Sequence, residues 1–147
     1  MIKKFLSTDN NIASLPLRLA LAVMLFPHGV QKITNFSGMV DILGNAYGLP
    51  AVIAILVILI EFLAPIAILL GIGTRIGALL IAVVMLGAIP YHFSNGFFMN
   101  WFGNQPGEGY QFHILAVGAA VALTLLGGGK WSLDLRLFKV NTSLAEN

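Results

Sequence analysis

The chain has 147 residues, of which 58% are hydrophobic and only 10% charged, with a mean hydropathy of +0.89. A soluble domain has roughly a quarter of its residues charged, so this balance excludes an ordinary soluble fold and reads as an integral membrane protein. The net charge of +2 is small and its basic residues are scattered, which sets nucleic-acid binding aside, and the lack of cysteine excludes thiol relays, cysteine-ligated zinc or iron–sulfur clusters, and disulfides.

Four apolar stretches, about 15–33, 50–70, 76–93 and 110–126, are long enough to cross about 30 Å of hydrocarbon at 1.5 Å per helical residue. The fourth is the shortest and borrows Tyr110 and Gln111. A backbone in lipid must satisfy its hydrogen bonds internally, and no alternating pattern suggests a barrel. The expected fold is therefore an all-α membrane protein, a single four-transmembrane-helix bundle.

Before the first stretch comes a polar segment, Ser7 to Asn11, and no small-x-small cleavage site follows, so that stretch reads as a retained span rather than a signal peptide. Ser14 ahead of Leu15 and Pro16 resembles an N-cap with proline in the first turn. Arg18, just inside this end, is expected to snorkel to the headgroups. At the far end His28 and Lys32, four apart, share a helix face.

The second stretch holds Glu61 in an otherwise apolar run from Val52 to Leu70. A carboxylate at mid-bilayer costs about 2.5 to 3.5 kcal/mol, against about 0.3 to 0.6 returned by each Leu, Ile, Val or Phe. The run has fourteen of those, contributing about 4 to 8 kcal/mol, so it carries both Glu61 and Pro65 into the membrane. Glu61 then has to face protein, water or ligand, and an intramembrane carboxylate is a functional-site hypothesis by default.

Gly71-Ile72-Gly73-Thr74-Arg75 reads as a tight turn into the third stretch, and Gly127-Gly128-Gly129 ends the fourth. Between the third and fourth lies the longest loop, Ser94 to Gly109, whose Phe97, Phe98, Trp101 and Phe102 suit a segment on the membrane surface or folded over the bundle. Pro27-His28 and Pro90-Tyr91-His92 close the first and third stretches alike, a short echo of two parallel hairpins. Lys3, Lys4, Arg18, Arg75, Lys130, Arg136 and Lys139 fall on one side and Lys32 on the other, which by the positive-inside rule places both termini in the cytoplasm. His28, Lys32, His92, Asn95, Glu108, Gln111 and His113 then gather at the outer end, with His92 and His113 wetted at the rim. No nucleophile triad or metal motif is present.

In chain order, Leu17-Arg18-Leu19-Ala20-Leu21, His28-Gly29-Val30-Gln31-Lys32, Glu61, Leu70-Gly71-Ile72-Gly73-Thr74-Arg75, His92-Phe93-Ser94-Asn95-Gly96-Phe97 and Gly129-Lys130-Trp131-Ser132-Leu133-Asp134 resemble the DoxX family of small four-helix membrane proteins. The family often opens its fourth helix with Gly-Tyr-Glu, where this chain has Gly109-Tyr110-Gln111; Gln111 can hydrogen-bond but cannot carry a proton in that glutamate's place. The resemblance implies a bacterial inner-membrane protein associated with redox systems, including subunits similar to those of thiosulfate:quinone oxidoreductase.

The leading expectation is a subunit of a membrane redox complex that binds quinone in an outward cavity, with His28, Lys32, His92 and Asn95 as binding residues and Glu61 as the proton donor or acceptor. A quinone needs apolar walls for its ring, a few donors for its oxygens and protons for its reduction. Electrons would come from a redox partner or a bound cofactor, whose identity the sequence leaves open. Two other readings stand beside it: a non-catalytic scaffold or docking subunit, and a small carrier or proton path. Small residues such as Gly77, Ala78, Gly118, Ala119 and Ala120 allow homo-oligomers.

Overall fold

The structure, a computed structural model, describes residues 6–138. Its elements are α1 (Ser14–Thr34), α2 (Phe36–Tyr47), α3 (Ala51–Leu70), α4 (Thr74–His92), a short 3₁₀ turn (Phe93–Asn95), α5 (Gln111–Leu126) and α6 (Leu133–Leu137). No strand occurs among the described residues. Lys3, Lys4 and Lys139, which enter the charge asymmetry, lie outside them.

α1 packs most extensively on α3, and α4 on α5, with α3 against α4 and α1 against α5 joining the two pairs. One core runs through all four: Leu21 and Leu25 of α1, Ala64 and Ile68 of α3, Ala78, Ile81 and Met85 of α4, and Ala116, Ala120 and Leu123 of α5 are buried together. The small side chains in this set let the helices approach closely, the usual device where lipid offers no hydrophobic drive for helices to associate. The opposite faces carry exposed apolar residues, among them Val23, Leu63, Val83 and Leu115. Ala51–Leu70 and Thr74–Asn95 are long and apolar enough to cross a membrane; α5 is apolar but shorter, at 16 residues.

The first helix is capped differently from expectation. Ser14 lies inside α1, and Asn11 serves its first turn, with Oδ1 accepting from Ser14 N at 3.1 Å and Ser14 Oγ at 2.9 Å.

Arg18 also departs from expectation, since it does not snorkel. It is 2% exposed, and it donates from Nε to the Ile68 carbonyl (2.8 Å), from Nη2 to that of Leu69 (2.6 Å) and from Nη1 to those of Gly128 (3.1 Å) and Lys130 (3.4 Å). The cause is the end of α3: the last carbonyls of a helix have no intrahelical partner, and a guanidinium brings five donors in a fixed fork.

Asp134 serves the opposite end of the same turn. Its carboxylate accepts from Gly73 N at 2.7 Å and Thr74 N at 2.8 Å, completing the start of α4 with acceptors and a favourable charge. Gly71 between them takes a left-handed φ of 70°, and Ile72 N closes onto the Ala67 carbonyl. Asp134 is held by α6, whose start is capped by Ser132 Oγ accepting from Leu135 N at 3.1 Å.

Two helices were not legible as spans. α6 is one, and α2 is the other: the segment between the first two apolar stretches is helical, and its Leu43 is buried with Ala54 and Ile58 of α3, flanked by Met39, Val40 and Tyr47. Phe36, Met39, Val40, Leu43 and Tyr47 recur at spacings of three and four, the signature of an amphipathic helix. α2 therefore lies on α3 and forms one wall of the space described next.

Candidate functional site

Glu61 stands in the middle of α3, 6% exposed. Two neighbours in sequence and space fix its surroundings. Pro65 has no amide hydrogen, so the Glu61 carbonyl lacks its partner four residues on. Against that carbonyl lies Gly29 of α1, so close that a Cβ there would overlap the Glu61 C=O. This contact draws α1 onto α3, and one turn further along α1 Lys32 Nζ donates to Glu61 Oε2. Lys32 thus turns inward to a carboxylate, and the pair is the salt bridge seen among the described residues.

The pair opens on a cavity of about 480 Å³ bounded by α1, α2, α3, α4 and the start of α5. Its walls are mostly apolar, with Leu43, Ile53, Val57, Ile60, Val84 and Met85 among them. Tyr47 of α2 and Tyr91 of α4 meet edge to face at a centroid separation of 4.8 Å and also line it. The polar groups are few: Lys32 and Glu61 on the α1–α3 side, His92 and His113 on the α4–α5 side, and the two tyrosines, each with a hydroxyl. Apolar walls with a few converging polar groups are the general form of a small-molecule site.

The structure brings together Lys32, Glu61 and His92 of the residues singled out from sequence. His28 does not line the cavity; it is exposed on α1, its ring 6.0 Å from that of Phe112. Asn95 donates to the Glu108 carbonyl at 3.0 Å in the loop between α4 and α5, and His92 Nδ1 lies 2.8 Å from the same carbonyl. Glu108 is a loop staple: its Oε2 accepts from Asn100 N at 2.8 Å. Gln111 begins α5, with its backbone N–H on the Phe97 carbonyl at 2.9 Å.

His113 was not expected here. It is buried at 8% exposure, its ring centroid 4.3 Å from that of His92, and its Nδ1 is enclosed without a hydrogen-bond partner. The sequence did hold a signal: Ala116, Ala120 and Leu123 follow it at three, seven and ten residues and are all buried, which puts His113 on the inward face of α5. Among the described residues no three His, Asp or Glu side chains come together as a metal set.

A family model described as DoxX matches residues 13–101. The chain belongs to the DoxX family. This DoxX chain is also 30% identical over 128 residues to a protein of Bacillus subtilis (strain 168) described as "Putative oxidoreductase CatD", covering 87% of this chain and 89% of that one. No solved structure matches it. The segment matched by the family model includes Lys32, Glu61 and His92 and ends before His113, whereas the alignment with the Bacillus subtilis relative is long enough to take in α5 as well.

Proposed function

We propose that this DoxX protein is a four-span protein of the bacterial inner membrane, with both termini cytoplasmic, that binds a quinone or its reduced form in the cavity beside Glu61 as part of a membrane redox complex. The observation that carries the reading is the pairing of a part-buried Lys32–Glu61 contact with a mostly apolar cavity of about 480 Å³. Val57, Ile60 and Val84 give an aromatic ring the walls it needs, and the ion pair supplies a donor and a proton acceptor at one edge. The description of the Bacillus subtilis relative as an oxidoreductase supports the same class.

In this reading Lys32 Nζ hydrogen-bonds a ring oxygen, and Glu61 exchanges a proton with it. The chain has no cysteine, and the electrons belong to a redox protein or cofactor bound alongside. Apolar side chains around the pair keep out water that would compete for both groups.

The test is to purify the protein in mild detergent and identify co-purifying small molecules and proteins by mass spectrometry, for wild type and Glu61→Gln. The expected result is a quinone or quinol on wild type and its loss from a folded Glu61→Gln variant. Lipid alone on both, with a partner protein held equally by both, sinks the redox pocket in favour of a scaffold. Proton or solute flux through liposomes without any electron donor sinks it in favour of a carrier.

A further inference from the structure

Resting on the reading of the cavity as a site for an oxygen-bearing ring, we propose that His92 and His113 form a second polar wall that selects a ring hydroxyl over a ring carbonyl, so that the preferred occupant is a hydroquinone or phenol rather than a dione.

The tautomer of His92 is set by its contact with the loop between α4 and α5. Its Nδ1 lies 2.8 Å from the Glu108 carbonyl, which can only accept, so Nδ1 carries the hydrogen. In the neutral ring Nε2 is then a bare lone pair. The Glu108 carbonyl is fixed in turn by Asn95 Nδ2 at 3.0 Å, and the Glu108 carboxylate by Asn100 N. The loop holds the carbonyl in place, and the carbonyl holds the imidazole.

His113 supplies the complementary group. Its Nδ1 is enclosed and unpartnered, which leaves Nε2 as the ring nitrogen a cavity ligand can reach, and the ring itself lines the cavity next to His92. A hydrogen on Nδ1 would be a buried donor with no acceptor, so the neutral ring carries it on Nε2, where a ligand can accept it, and this places a donor beside the His92 acceptor. A hydroxyl both donates and accepts, and satisfies the two together. A carbonyl satisfies only His113 and sets its own lone pairs against that of His92 Nε2. Setting a ligand lone pair against an unpaired ring nitrogen in this half-buried wall costs enough to discriminate by about tenfold.

The experiment is calorimetric titration of the full chain in lipid nanodiscs, under argon, with three probes: trimethylhydroquinone, trimethyl-1,4-benzoquinone and the dimethyl ether of the hydroquinone. The hydroquinone is expected to bind about tenfold more tightly than either of the others. In His92→Phe and His113→Phe the preference for the hydroquinone over the quinone is expected to fall below about threefold. Equal affinity of wild type for hydroquinone and quinone, or tighter binding of the quinone, overturns the selection and leaves the ring site standing. A preference that survives both substitutions overturns the assignment to these histidines. Binding of none of the three overturns the ring site itself, and this inference with it. The wild-type series does not depend on the variants folding.

Discussion

Gly29 of α1 lies against the peptide carbonyl of Glu61 on α3, with no room for a side chain between them: a Cβ at position 29 would overlap that carbonyl and come 2.7 Å from Phe62 Cα. The atoms in the way are backbone, which cannot swing aside, so Gly29→Ala has to push α1 away from α3. The expected cost is about 1 to 3 kcal/mol, the range for overpacking a close-packed contact, together with loss of the Lys32–Glu61 alignment. Gly118→Ala is the control, because nothing lies within 4 Å of a Cβ there. Thermal unfolding in detergent should show a lowered midpoint for Gly29→Ala and an unchanged or slightly raised one for Gly118→Ala. Equal behaviour of the two would mean that the close approach is unimportant.

The ion pair itself separates scaffold from site. Lys32→Met leaves the Glu61 carboxylate buried with no cation, and breaking a buried pair costs about 3 kcal/mol at the lower end of the observed range; the lower end applies because the Lys32 side chain is 22% exposed. Lys32→Met combined with Glu61→Gln removes both charges and should recover most of that stability, since two neutral groups carry little desolvation penalty. Ligand binding should not recover. A double variant that is as destabilised as Lys32→Met alone would show that the charges are needed for packing.

How much of this was legible in the sequence follows from where the signal lay. Glu61 stands out because a lone carboxylate in an apolar run has no cheap explanation, and the glycine turn at Gly71–Gly73 because only a few residues take a left-handed φ. α2 was hidden by hydropathy: its apolar stripe of Met39, Val40 and Leu43 is diluted by Ser37, Asp41 and Asn45 on the outer face, and only a test for period would have found it. Arg18 was misplaced because its partners are backbone carbonyls at Ile68, Leu69, Gly128 and Lys130, which have no side-chain signature. His92 and His113 read as rim residues for the same kind of reason. Their closeness depends on how the outer loop returns, and that turns on Gly109, where a Cβ would strike the carbonyls of Phe97 and Phe98.

Arg18 should be the most sensitive position at the end of the bundle that carries the α3–α4 turn. Arg18→Lys keeps the charge but offers one ammonium for carbonyls on α3 and on the segment after α5, and a point donor cannot reproduce the fork. Each buried carbonyl left without a partner costs about 1 to 3 kcal/mol, so both Arg18→Lys and Arg18→Ala are expected to lose at least about 2 kcal/mol, with Lys the milder. Asp134→Asn retains one acceptor for Gly73 N or Thr74 N and should lose about 1 kcal/mol, in the range of a lost cap. Denaturation of the purified variants by urea or heat in one detergent would rank them. An Arg18→Lys variant as stable as wild type would show that charge near the headgroups, rather than the hydrogen-bonded clamp, is what the position requires.

The proposed orientation of the chain rests on charge, and the structure narrows which of the charges are exposed. Arg18 is buried against carbonyls, Arg75 donates to the Thr124 and Leu125 carbonyls, and Lys32 is engaged by Glu61, so Lys130 and Arg136 are the exposed cations of the inner end among the described residues. In the proposed orientation, cytoplasmic retention of that end would rest on them. Because the chain has no cysteine, single cysteines can report its sidedness without background. Phe102→Cys, at a position 87% exposed in the loop between α4 and α5, should react with a membrane-impermeant maleimide on intact spheroplasts, and Leu137→Cys, 65% exposed at the other end and leaving both cations in place, only after permeabilisation. The opposite pattern would invert the chain and put its termini outside. Labelling of both from outside would mean that α5 does not cross, in which case the cavity wall carrying His113 would sit at the membrane surface and the four-span reading would fail.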